Sequence, residues 1–390
     1  MRDAVIVDAA RTPTGKRNGA LAGWHPVDLS AHVLTALAER NGLDPGVVDD
    51  VIWGCVSQVG EQGVNVARNA VLAAGWPESV PGTSIDRQCG SSQQAAHFAA
   101  AGVISGQYDV AIAGGVEVMT RVPMGSNVAP GPGIPFGPKM IARYEPAGGL
   151  VNQGISAERI AQKWGLSREQ VDSYAAESHQ RAAAAQDRGA FESGLVAVPV
   201  AGPDGTDPVL FTADQGIRRG SSVESLGALK PAFDPDGLIT AGNSSQISDG
   251  AAALLITTSE MAARMGWRPL ARFHTFALGG CDPIIMLTAP IPATQKALTR
   301  SGLKIDEIGH FEVNEAFAPV PLAWLEELGA DAKSLNPLGG AIALGHPLGG
   351  SGAQLMTRLV HAMVENGTRY GLQTMCEGGG MANATILELL

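Results

Sequence analysis

One pattern limits the folding of this chain more than any other: a strand, a glycine-lined turn, a helix of small residues, a second strand and a glycine run occur twice in that order. In the first copy, Thr83 to Asp86 leads to Cys89-Gly90-Ser91, a helical run to Gly102, a strand from Asp109 to Ala113, and Gly114-Gly115. In the second, Ser334 to Pro337 leads to His346-Pro347-Leu348-Gly349-Gly350-Ser351-Gly352, a helix, a strand from Gly371 to Met375, and Gly378-Gly379-Gly380. A repeat of this kind implies two similar α/β halves. Strands alternating with helices imply a largely parallel sheet in each half, covered on both faces. Cys89 and His346 then occupy equivalent turns and face each other.

Apolar spacing adds a strand at Ala4 to Ala10 and helices at Pro26 to Arg40 and Gly63 to Ala74. From Thr120 to about Gly154 the composition shifts to Gly, Pro, Met and Asn, and Ala129-Pro130-Gly131-Pro132-Gly133-Ile134-Pro135 suits no regular element. Helices are expected at Ser156 to Trp164 and Ser167 to Gly189, the second opened by a capping box in which Ser167 and Gln170 serve each other's end groups. The chain rejoins the first layer at Ala251 to Thr257, and after Pro269 the alternation restarts, with helices at Ile291 to Ser301, Phe317 to Leu328 and Gly352 to Asn366. The expected division is 1–119 with 249–268 as a first half, 120–248 as an inserted loop domain and 269–390 as a second half. A chain of 390 residues has room for them.

A net charge of −11 excludes a protein built mainly to hold a nucleic-acid backbone, so any anionic ligand needs a local basic site. Arg2, Asp3, Asp8 and Arg11 make the N-terminus too polar for a signal-peptide core, and no apolar run is long enough for a membrane span, so a cytoplasmic protein is expected. Cys55, Cys89, Cys281 and Cys376 are far apart, which suggests neither a disulfide framework nor a metal site. Fingerprints of serine hydrolases, P-loops and dinucleotide binding are absent. Asp234-Pro235-Asp236-Gly237 lacks the closing glutamate of a calcium loop and reads as a polar turn.

The remaining chemistry sits at glycine-lined turns. Cys89 precedes a helix, whose free N–H groups and dipole are expected to lower its pKa as for a nucleophile; burial as a small hydrophobe is the competing reading. His346, on a rigid turn, suits a general base or a satisfied loop histidine. Cys376 stands before three glycines whose main-chain N–H groups can form an oxyanion hole. Asn314, at another strand-to-helix turn, offers a carboxamide or a helix cap.

Together these residues resemble the thiolase family, the acyl-CoA C-acyltransferases. Gln88-Cys89-Gly90-Ser91, Asn314-Glu315-Ala316-Phe317-Ala318, Gly340-Ala341-Ile342-Ala343-Leu344-Gly345-His346-Pro347 and Cys376 followed by Gly378-Gly379-Gly380 occur in family order. Ala10-Arg11-Thr12-Pro13 and Ala241-Gly242-Asn243-Ser244-Ser245 extend the likeness to nearly the whole chain. The resemblance implies two βαβαβαββ halves in a five-layer α/β/α/β/α core with an inserted loop domain. It also implies thiolysis of a 3-oxoacyl-CoA, or the reverse Claisen condensation, through an acyl-Cys89 intermediate. His346 would be the general base and part of an oxyanion hole, Cys376 the general acid and base, Asn314 the holder of an oxyanion water, and Gly378 a backbone oxyanion donor. For coenzyme A, a substrate with no tightly bound cofactor beside it, the family pattern points to Arg218, Ser225 and Ser245. Arg219 would add positive charge, and Met286 and Phe317 would line the reacting end. Members are homodimers or homotetramers.

Asn152-Gln153-Gly154 replaces the His-Met-Gly turn of many short-chain biosynthetic members, and the Cys89 turn reads Gly-Ser-Ser-Gln-Gln; both resemble degradative enzymes that accept bulky or steroid-derived acyl groups. Two other readings remain open at this point: a ketoacyl-synthase-type condensing enzyme, and a non-catalytic acyl-CoA or sterol-carrier-like homologue.

Overall fold

The computed structural model describes residues 2–128, 131–202 and 207–390. The chain first runs through β1 (Val5–Arg11), β2 (Gly15–Lys16), α1 (Pro26–Asn41), β3 (Asp50–Gly54), α2 (Val66–Ala73), β4 (Gly82–Ile85), α3 (Ser91–Ser105) and β5 (Val110–Val118). It leaves the sheet for α4 (Pro138–Tyr144), α5 (Gln153–Lys163), α6 (Arg168–Asp187), the paired β6 (Val198–Val200) and β7 (Val209–Phe211), and α7 (Val223–Gly227). It returns as β8 (Ser248–Thr257) and α8 (Ser259–Met265). Then follow β9 (Ala271–Gly280), α9 (Pro290–Ser301), β10 (His310–Val313), α10 (Pro319–Leu328), the short α11 (Ala341–Leu344), α12 (Leu348–Asn366), β11 (Tyr370–Glu377) and β12 (Met381–Leu389).

The strands line up as β4-β3-β5-β8-β1 in the first half and β10-β11-β12-β9 in the second, where a single bridge from Phe311 to Leu335 extends the edge beyond β10. In each half the first strand lies beside the last, and the third strand position forms the opposite edge, so the two halves share one topology. They meet where β1 pairs with β9, Val5 opposite Arg272 and Ile6 opposite Ala271.

Side-chain alternation assigns the faces. Along β8, Ala251, Ala253 and Leu255 pack with α1 and α2 in one core, whereas Ala252, Leu254 and Ile256 point to the other side. There they meet the alanines of α3 and Ala353, Met356, Leu359 and Val360 of α12, together with Phe273 and Leu387 of the second half. Burying these apolar faces is the main stabilising term, at about 25 cal/mol per Å². The far side of the second sheet is covered by α9 and α10 around Phe311, Trp324 and Ile386. The layers are therefore helix, sheet, the α3/α12 pair, sheet, helix. At Gly352 a Cβ would overlap the main chain at Gln93, so only glycine lets α12 lie this close to α3.

Local departures from expectation have identifiable causes. The helix expected from Gly352 begins at Leu348, because Pro347 takes the cap position, where its missing N–H costs nothing. Phe317 lies outside α10 and bridges to Ser244, and the strand expected at Ser334 is reduced to the Leu335 bridge. Helix α4 forms inside the Gly/Pro-rich stretch, opened by Pro138 at its first turn. Ala129 and Pro130 of that stretch lie outside the described residues. The Ser167/Gln170 capping box forms as expected.

Candidate active site

The turn before α3 is built by its own polar residues. The Gln88 N–H donates to Asp86 Oδ1 (2.6 Å), the Arg87 N–H to Ser91 Oγ (2.9 Å), and Ser91 Oγ to the Gln88 carbonyl (2.6 Å). They hold Gln88 at φ 50, a left-handed conformation that few non-glycine residues adopt. Cys89 follows, 4 % exposed.

The equivalent turn before α12 carries His346, also 4 % exposed. Its main-chain N–H lies 3.2 Å from both the Gln246 carbonyl and Ser248 Oγ. Gln246 is itself pinned through Nε2 to the carbonyls of Gly216 and Ile342, each at 2.8 Å. The Ser351 hydroxyl donates to the Pro347 carbonyl (2.8 Å), so its oxygen accepts from His346 Nδ1 at 2.6 Å. The imidazole therefore carries its proton on Nδ1 and leaves Nε2 as a buried atom without a hydrogen-bond partner among the described residues. Burial lowers the His346 pKa to about 4, which keeps the ring neutral.

Cys376 and Asn314 come from the ends of neighbouring parallel strands: Val313 is opposite Thr374, and the Asn314 N–H donates to the Thr374 carbonyl (3.0 Å). The Asn314 side chain favours the Cys376 thiolate electrostatically, and its Oδ1 and Nδ2 have no hydrogen-bond partner among the described residues. Cys376 is fully buried, and its thiol is raised well above the ordinary range by burial, then by the closeness of Cys89 and of Glu377.

The expected low pKa of Cys89 is overturned. Burial pushes its thiol up to about 12 and outweighs the favourable groups, the Gln153 side chain and the main-chain N–H groups of Cys89 and Gly378; Glu377 adds to the rise. The resting pair is thus thiol and neutral imidazole.

Two adjoining cavities open onto these turns. One, of about 540 Å³, is lined by Cys89, Gly378 and Met286 with Phe136, Met140 and Val151. The other, of about 770 Å³, is lined by His346, Phe317, Ser245, Arg218, Lys16 and Arg17. Met124, Gln153 and Leu348 line both, and Gln153 Nε2 lies 4.0 Å from Cys89 Sγ. Ser225 lines neither cavity; its hydroxyl donates to the Ser222 carbonyl in the capping box of α7 (3.0 Å). Arg219, expected to add positive charge, is paired with Asp187 at the surface (2.6 Å), so Lys16 and Arg17 stand beside Arg218 in its place.

Three buried carboxyls near the site have no role marked by a sequence motif, and two of them brace it. Glu117 accepts from the N–H groups of Val56 (3.0 Å), Ser57 (3.0 Å) and Gly349 (2.8 Å) and from Gln62 Nε2 (2.7 Å), tying the end of β3 to the first turn of α12. Glu315 accepts from Tyr174 (2.9 Å), Ser178 (2.7 Å), Asn336 (3.0 Å) and the Ile342 N–H (3.1 Å), joining α6 to the segment before His346. Glu377 has no such partners among the described residues. The available signal for Glu117 was a lone carboxyl inside the otherwise apolar strand Val110 to Val118.

Comparison with known proteins places the chain among related sequences and structures. The family description "Thiolase, N-terminal domain" matches residues 4–260, and "Thiolase, C-terminal domain" matches residues 267–389. The chain is 48% identical to the steroid 3-ketoacyl-CoA thiolase FadA6 of Mycobacterium tuberculosis, covering 100% of this chain and 95% of that protein. It is also 48% identical to a 3-ketoacyl-CoA thiolase of Erwinia tasmaniensis, covering 100% of both. Among solved structures, the acetyl-CoA acetyltransferase of Bacillus anthracis superposes with a TM-score of 0.90 at 35% identity, over 100% of this chain and 99% of that one.

Proposed function

As this chain belongs to the thiolase family, we propose that it catalyses the CoA-dependent cleavage of a 3-oxoacyl-CoA, with Cys89, His346, Cys376 and Asn314 as its catalytic groups. The observation that carries the reading is the unpartnered His346 Nε2, fixed through Nδ1 by Ser351, at the mouth of a cavity that adjoins the Cys89 cavity. His346 Nε2 takes the Cys89 proton as the sulfur attacks the ketone carbon, and the bond to the acetyl-CoA carbon breaks. The electron pair leaves with acetyl-CoA, which takes a proton from the Cys376 thiol. Cys376 regains a proton from the incoming CoA thiol, whose sulfur attacks the acyl-Cys89 thioester; the departing Cys89 sulfur recovers its proton from His346. The main-chain N–H groups of Cys89 and Gly378 serve one oxyanion, and His346 with Asn314 serves the other. In the reverse direction the same residues perform the Claisen condensation.

CoA is held on the Arg218, Lys16, Arg17 and Ser245 side, with Phe317 near the reacting end, and the acyl group occupies the Cys89 cavity beside Met286. The apolar lining and size of that cavity support degradation of bulky acyl groups, and the steroid enzyme among the relatives supports the same class. Residues 120–248 act as an inserted loop domain between the halves 1–119 with 249–268 and 269–390, a reading supported by helices α5 and α6, which contribute Gln153 to the cavities and Tyr174 and Ser178 to Glu315. The enzyme works in the cytoplasm as a homodimer or homotetramer; among the described residues no helix is long and apolar enough to cross a membrane.

A substrate panel tests this reading. Purified protein mixed with CoA and either acetoacetyl-CoA, a long-chain or a ring-bearing 3-oxoacyl-CoA should release acetyl-CoA, fastest from the bulkier compounds. Absence of thiolysis with every member of the panel would sink it.

A further inference from the structure

Among the described residues Glu377 is the exception among the buried carboxyls. Glu117 and Glu315 each have four hydrogen-bond donors; Glu312 has Arg358 (2.7 Å) and His310 (3.2 Å), and Asp214 has Arg11 (2.7 Å) and the Thr14 N–H (2.7 Å). Glu377 is fully buried, and among the described residues neither of its oxygens has a partner at hydrogen-bond geometry, although the Asn383 main chain lies near enough to favour its charged form. Its side chain reaches from the end of β11 to the turn that carries Cys89, where a Cβ on Gly90 would overlap Glu377 Oε1. Its own neighbours in the chain are Cys376 and Gly378, whose N–H favours the Cys89 thiolate. A carboxylate buried without donors is costly enough that the group keeps its proton instead.

We propose that Glu377 acts through Cys89 as an electrostatic gate: the Cys89 thiolate forms readily only while the Glu377 carboxyl keeps its proton. The inference rests on the reading of Cys89 as nucleophile. A charge on Glu377 disfavours the anionic form of both Cys89 and Cys376, so a protonated Glu377 leaves the site free to carry the one negative charge that each half-reaction moves between the thiols. The charged and titratable groups facing Glu377 are Asp86, Arg87 and Cys89 on the turn and Cys376 on its own strand; its neighbours Met381 and Asn383 on β12 are uncharged. Burial raises its pKa to about 8, opposed by Arg87 and the Asn383 main chain and assisted by Asp86. Above that point the carboxyl releases its proton to solvent and the gate closes.

Alkylation of Cys89 by iodoacetamide, read by peptide mass spectrometry, tests this in the native protein and in E377Q from about pH 6 to about pH 10. The ratio of the E377Q rate to the native rate should stay near one below about pH 7 and rise to roughly tenfold by about pH 9.5. A ratio that stays flat across the range, or falls, would overturn the proposal. Should E377Q fail to fold, the native protein alone decides: its alkylation rate should show a shoulder beginning near pH 8 before climbing again, and an unbroken rise would contradict the gate. Neither readout uses turnover, so a flat ratio counts against Glu377 alone, whereas absence of thiolysis in the native protein counts against the function.

Discussion

His346 Nδ1 lies 2.6 Å from the hydroxyl oxygen of Ser351, five residues further on in the first turn of α12, and this contact fixes which imidazole nitrogen faces the cavity. Removing the hydroxyl in Ser351→Ala frees the ring to adopt either tautomer. Steady-state thiolysis should show kcat lowered roughly tenfold to a hundredfold, with KM little changed, because the loss falls on general-base chemistry rather than on CoA binding. A raised KM at unchanged kcat would contradict the role given to Ser351.

Arg218 lines the His346 cavity, whereas its neighbour Arg219 is held by Asp187 at the surface. Arg218→Ala should therefore raise the KM for CoA by roughly tenfold, an effect that weakens as salt screens the native interaction. Arg219→Ala should leave it within about twofold, since exposed ion pairs contribute little. Equal effects from the two substitutions would show that the surface pair opens to bind CoA.

At Gly352 two opposing tendencies meet. Alanine in a helix interior is intrinsically favoured over glycine by about 1 kcal/mol, but here its Cβ would overlap the main chain at Gln93. Overpacking against backbone costs about 1–3 kcal/mol, so the clash wins. Gly352→Ala should lower the urea midpoint and also reduce kcat, because α3 and α12 carry Cys89 and His346 at their starts. A stabilised, fully active variant would contradict the close approach of the two helices.

His97 is buried between α3 and β12, with Nε2 donating to Thr385 Oγ1 (2.7 Å) and Nδ1 accepting from Asn383 Nδ2 (2.9 Å). Burial lowers its pKa to about 3, with Arg87 assisting, from an ordinary 6.5. Between these values the unfolded chain binds a proton that the folded protein does not, so this group's contribution to stability is lost as pH falls through the window. In urea unfolding, the native protein's stability relative to His97→Gln should decline by about 1.4 kcal/mol per pH unit from about pH 6 to about pH 4. A pH-independent difference would mean that His97 is protonated in the fold.

Much of this arrangement was legible because its determinants are local. Glycines with Cys89 and His346 mark two equivalent turns, the Ser167/Gln170 box marks the start of α6, and the alternation along Ala251 to Ile256 marks a strand covered on both faces. What stayed hidden depends on groups distant in sequence. Glu117 is 61 residues from Val56 and 232 from Gly349, and the pairing of Arg219 with Asp187 depends on how the loop segment folds back on α6. The Cys89 pKa was misjudged for the same reason. A helix start favours a thiolate locally, but the burial that outweighs it is assembled from Met375 of β11, Leu348 and Leu355 of α12, and Val56 and Met119.

The whole proposed cycle depends on Cys89 accepting the acyl group. The most direct measurement is rapid quenching of the protein with a 3-oxoacyl-CoA in the absence of free CoA, followed by peptide mass spectrometry. The peptide containing Cys89 should carry the mass of the shortened acyl group, lose it when CoA is added, and carry no adduct in Cys89→Ala. An acyl adduct confined to Cys376, or acetyl-CoA released while Cys89 stays unmodified, would rule out Cys89 as the acceptor.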